Sequence, residues 1–91
     1  MTRPVPYRST PIFDQDSLPQ ALRNRHSTKD GVWGVIRVVE GRLRYTCLEP
    51  FSETLLDPGC PMVIQPRQPH FVTPVGAMTM QVDFYNQPPD G

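Results

Sequence analysis

Few side chains in this sequence are equipped for chemistry: His26 and His70, Cys47 and Cys60, and a carboxylate, Asp83, that alternates with apolar residues near the end of the chain. Imidazole serves as a metal ligand or as an acid and base near neutral pH. Taken alone, His26 reads equally as a hydrogen-bonded residue at a strand end, and His70, after Pro69, as a loop histidine. The cysteines have neither CxxC spacing nor the density of a disulfide scaffold, so they read as reduced thiols held in reserve as soft ligands. GxSxG, GxxxxGK[ST] and HExxH are all absent, which removes the motif support for hydrolases, NTPases and zincins.

Nine basic residues balance nine acidic ones, and the single lysine is Lys29. That balance argues against a nucleic-acid footprint, and no apolar run approaches the roughly 20 residues of a membrane span. The opening "MTRPVPYRSTPIFDQD" lacks a signal-peptide core, so the expectation is a cytoplasmic protein. In 91 residues there is room for one domain with a small core, and a homodimer is expected to supplement it.

Twelve prolines and six glycines cut the chain into segments suited to strands. The clearest, "VWGVIRVV" (Val32 to Val39), is β-branched and has no helical stripe. "EG" then reads as the turn of a hairpin at Glu40 and Gly41. "RLRYTCLE" returns with Leu43, Tyr45 and Cys47 on one face and Arg42, Arg44 and Thr46 on the other. Further strands fit at Glu53 to Leu56, Met62 to Gln65, His70 to Thr73 and Met78 to Tyr85. In the last of these Met78, Met80, Val82 and Phe84 oppose Thr79, Gln81, Asp83 and Tyr85. "SLPQALRN" suits one helical turn or a turn into a strand. The domain is expected to fill residues 1–91 with a core of about 7–86, its proline-rich ends forming loose arms.

The order of several short motifs is informative. Pro11 and Phe13, "LP" at Leu18, "HSTKDGVWG" from His26, "EGRLRY" from Glu40, "PRQPH" from Pro66 and "DFY" from Asp83 together resemble the TehB/YeaR-like small cupins, a family named for tellurite resistance. The resemblance implies an all-β fold, a single antiparallel cupin-like barrel of jelly-roll type with a pocket at one end. Metal-binding cupins draw two histidines and a glutamate from a first motif and a histidine from a second. Here the matching positions hold His26, Thr28, no carboxylate near Trp33, and His70. Barrel closure would bring His26 and His70 together.

Asp83 is then the leading third ligand, completing a set suited to a divalent metal, zinc first, with a water in its open position. The alternative puts Asp83 on a wet outer face. Cys60 could ligate zinc or pack. Thr28, Lys29 and Trp33 are expected at the pocket, Lys29 guiding an anion and Trp33 forming wall or core. Two function classes follow. One is a non-catalytic stand-alone domain that binds a metal and a small anion or metabolite in a stress or oxyanion response. The other is a metal-dependent enzyme, a zinc-water hydrolase or lyase or an iron(II) oxygenase. Methyl transfer is not expected, because the chain has neither GxGxxG nor the length of a nucleotide-binding fold.

Overall fold

The structure, a computed structural model, describes residues 4–89. In chain order the elements are β1 (Arg8–Ser9), β2 (Phe13–Asp14), α1 (Gln20–Arg23), β3 (Trp33–Leu48), β4 (Phe51–Leu56), β5 (Met62–Ile64) and β6 (His70–Tyr85). All strands join one antiparallel sheet ordered β1-β6-β3-β4, with β2 also on β6 and β5 also on β3. The protein is therefore all-β apart from one helical turn. No helix among the described residues is long and apolar enough to cross a membrane.

Two 16-residue strands, β3 and β6, pair along almost their whole length, from Trp33 opposite Tyr85 to Cys47 opposite His70. A straight strand of that length would run about 50 Å. The molecule measures 38 Å along its longest axis, so the pair must bend. The register shifts between Val38 and Arg42, and such irregularities are what allow a strand pair to bend.

Burial explains why the shift is needed. Before it, β3 buries Gly34, Ile36 and Val38; after it, Leu43, Tyr45 and Cys47. Apart from Asp83, the buried positions on β6, from His70 and Val72 through Met78, Met80 and Val82, keep one parity. Alternation is strict in a strand, so only an irregular number of residues on β3 lets both halves face one core. That core unites Ile36, Leu43, Leu56, Ile64, Val72 and Met80 with Leu18 from the loop before α1.

The expected hairpin turn at Glu40 and Gly41 is thus corrected: the chain passes straight through both residues within β3. Gly41 is nonetheless special. Its φ is +77°, and a Cβ there would lie 2.3 Å from the Ala77 carbonyl oxygen. The glycine serves a bulge rather than a turn. The tight turn comes later, at Glu49–Pro50 between β3 and β4, and "RLRYTCLE" pairs with β4 and with the start of β6 instead of with "VWGVIRVV". The strands expected at His70 to Thr73 and Met78 to Tyr85 are one strand, bent between them.

The sheet folds over its core without closing: β4 and β5 both pair only with β3 among the described residues. "SLPQALRN" does form one helical turn, α1, preceded by Pro19 as its N-cap residue in extended conformation (φ −60°, ψ 144°). Of the N-terminal arm, Tyr7 is tied down, its N–H donating to the Phe84 carbonyl at 2.9 Å. Residues 1–3 and 90–91, also expected to be loose, lie outside the described residues.

Candidate functional site

His26 and His70 are direct partners. They form an isolated antiparallel bridge, with reciprocal backbone hydrogen bonds of 3.0 Å from His26 N to His70 O and 2.9 Å from His70 N to His26 O. Opposed residues in such a pair carry side chains to the same face, and the ring centroids stand 4.1 Å apart at 62°. The Tyr45 ring, from β3, has its centroid 5.5 Å from that of His70.

Both rings are anchored alike. His26 Nδ1 contacts the Asn24 carbonyl at 2.9 Å, and His70 Nδ1 contacts the Gln68 carbonyl at 2.7 Å. A carbonyl oxygen only accepts, so each Nδ1 carries the proton, and in the neutral ring each Nε2 keeps a lone pair. Burial pushes the His70 pKa below its ordinary value, and nearby His26 pushes the same way, against the opposing Gln68 carbonyl. His70 is thereby held as neutral imidazole.

Both histidines line a cavity of about 320 Å³. Its floor is apolar, built from Ile36, Ile64, Val72, Met80 and Val82 of β3, β5 and β6. Its polar lining includes His26, Thr28, Lys29 and Arg8, and no carboxylate among the described residues lines it. The loop carrying Thr28 and Lys29 is locally fixed. The Thr28 hydroxyl donates to the Val32 carbonyl at 2.7 Å, and Val32 N–H donates to the Lys29 carbonyl at 3.0 Å. Thr28 spends its hydroxyl on that turn, leaving Lys29 and Arg8 as the charged groups of the lining.

The structure does not bring Asp83 to the histidines. Asp83 pairs with Val35 in register, on the face of β6 opposite His70, Met80 and Val82. There its Oδ2 accepts from Arg37 Nε at 2.7 Å and its Oδ1 from the Ser9 hydroxyl at 2.7 Å. Burial alone would raise its pKa, but the hydrogen bonds from Arg37 and Ser9 outweigh it and hold the carboxyl below the usual range. Arg37 is the other half of this ion pair. Trp33 is not among the cavity residues either; it stands opposite Tyr85 at the end of β3.

The thiols stay separate. Cys47 is buried and accepts a hydrogen bond from Gln68 Nε2 at 3.2 Å, while Cys60 packs against the core. Among the described residues no three His, Cys, Asp or Glu side chains gather as a metal site. Sequence reasoning missed Arg8, which reaches the cavity because β1 pairs with the end of β6, Arg8 opposite Phe84. Nothing in the two-residue strand announces that pairing.

Comparison with known proteins agrees with this architecture. Residues 8–82 match the TehB-like domain family. The chain is 38% identical over 39 residues to a probable S-adenosyl-L-methionine-dependent methyltransferase TehB of Haemophilus influenzae, a match spanning 43% of this chain and 14% of that protein. The crystal structure of TehB from the same organism superposes with a TM-score of 0.83 at 27% identity, covering 91% of this chain and 31% of that one. A protein of Escherichia coli K12, solved by structural genomics, matches over 97% of this chain and 95% of its own, with a TM-score of 0.84 at 22% identity. Fe(II) HppE shares the fold less closely, with a TM-score of 0.63 at 19% identity over 81% of this chain and 40% of that one.

Proposed function

The chain belongs to the TehB-like domain family, and from that premise we propose that it is a cupin-like binding domain whose cavity beside His26 and His70 takes a small organic anion without transforming it. The observation that carries this reading is the lining itself. Apolar residues make up most of the wall, Arg8 and Lys29 supply positive charge, and among the described residues no acidic group lines the cavity to compete with a bound anion. A stress or oxyanion response remains the physiological setting of the proposal.

A resident zinc does not fit the donors. An open zinc site keeps three protein ligands, and among the described residues this cavity offers two imidazoles. The expected third, Asp83, is engaged on the other face by Arg37 and Ser9. The zinc-hydrolase and iron-oxygenase alternatives need the same third ligand. The reading therefore assigns anion recognition to the protein's own cations.

Titration of ¹⁵N-labelled protein with benzoate tests it. The expected result is saturable shifts confined to amides of residues 26–32, Ile36 and Val82, weakened at least tenfold in the double variant Arg8→Ala/Lys29→Ala. Shifts scattered over the surface, or an unchanged affinity in that variant, would reject the site.

A further inference from the structure

The anchoring of the two histidines says more about the ligand than its charge. Both rings line the cavity, and because both Nδ1 atoms donate to backbone carbonyls, the ring nitrogens left for a ligand are two Nε2 lone pairs, with no free N–H while the rings are neutral. A carboxylate placed against them would meet acceptors only. Its place is beside Lys29 and Arg8, and a hydrogen-bond donor must face the histidines.

Size narrows the class. A cavity of about 320 Å³ equals roughly ten water volumes at about 30 Å³ each, so it admits a ligand of about ten to fifteen heavy atoms. The floor of Ile36, Val72, Met80 and Val82 would bury an apolar body. Resting on the anion-binding reading above, we propose that the ligand is a compact apolar acid with a second polar group, a hydroxyl or amine that donates to Nε2 of the His26–His70 pair while its carboxylate meets Lys29 and Arg8.

This bifunctional requirement separates the site from a general anion hole. A simple oxyanion satisfies the cations but leaves the floor and both Nε2 atoms without partners. A phenol donates to one histidine and covers the floor but leaves the cations unmatched. Buried acceptors left unpaired are costly, so each incomplete ligand should bind more weakly than the complete one.

Four probes test this by calorimetry and amide shifts: 4-hydroxybenzoate, benzoate, phenol and inorganic phosphate. The expected order puts 4-hydroxybenzoate at least tenfold tighter than benzoate or phenol, with phosphate causing no shift at Ile36 or Val82. His26→Phe should bring 4-hydroxybenzoate down to the affinity of benzoate, and Arg8→Ala/Lys29→Ala should bring it down to that of phenol. His26 is partly exposed, so its replacement is tolerated better than that of buried His70. Equal affinities for 4-hydroxybenzoate and benzoate, both with cavity shifts, would overturn the donor requirement and leave the anion site standing. No cavity shift with any of the four at millimolar concentration would overturn both. A discrimination that survives His26→Phe in folded protein would remove the histidine from recognition.

Discussion

Arg37 Nε donates to Asp83 Oδ2 at 2.7 Å on the outer face of the sheet, one strand layer away from the cavity that holds the histidines. The pair is the centre of a clasp. Arg37 Nη2 also reaches Gln81 Oε1 at 2.6 Å, Gln81 Nε2 donates to the Thr10 carbonyl at 2.8 Å, and Ser9 donates to Asp83. Three strands are thus fastened: β3, β6 and the N-terminal β1.

Asp83→Ala should loosen that clasp. Arg37 is close to half exposed, so water replaces part of what it loses, and the expected cost is about 1 to 2 kcal/mol. Urea unfolding measures it. Amide exchange should also quicken at Tyr7 and Thr10, whose N–H groups bond the Phe84 and Val82 carbonyls. Unchanged stability and exchange would show that the ion pair does not hold the arm.

Gly41 and Gly76 both have positive φ, +77° and +71°, but only Gly41 is crowded. Gly76→Ala should cost about 1 kcal/mol for the backbone alone, since nothing lies within 4 Å of the added Cβ. Gly41→Ala adds a collision with the Ala77 carbonyl and Met78 Cα, so a loss of more than about 2 kcal/mol is expected. Equal melting temperatures for the two variants would contradict the close approach of β3 and β6 at the bulge.

Acid should destabilise the fold in two stages. Burial lowers the pKa of His70, so as pH falls through about 6.5 the unfolded chain takes up a proton that the folded ring resists, and stability drops. Asp83 acts lower: its depressed pKa stabilises the fold above about 3.9, and that contribution is lost as pH falls further. Unfolding free energy measured from pH 8 to pH 3 tests both, and His70→Phe should flatten the upper stage. A curve level between pH 7.5 and pH 5 in the parent protein would be the wrong outcome.

The homodimer expected from the small core has a specific surface. β4 hydrogen-bonds only β3 among the described residues, and it exposes Phe51 at 68% and Leu55 at 47%. Sedimentation at tens of micromolar should show a dimer that Phe51→Glu/Leu55→Glu converts to monomer. Monomer alone in the parent protein would discard the proposal.

Alternation of residue types determined much of this protein before any folding was known. It put Leu43, Tyr45 and Cys47 on one face, and Met78, Met80, Val82 and Phe84 on another, and the core is built from those faces. Motif order also marked His26 and His70, which meet as bridge partners. The same alternation could not say what lies beyond a face. Alternation puts Asp83 on the polar side of its strand, yet whether that side meets imidazoles or Arg37 depends on which way the bent sheet folds. Glu40 and Gly41 show the limit most plainly. A glycine between two apolar runs reads alike as a turn or as a bulge, because backbone hydrogen bonds are the same for every partner strand. Only β6, arriving from the end of the chain to pair with both runs at once, made it a bulge. Tertiary pairing likewise carried Arg8 to the cavity, where its local sequence gave no signal.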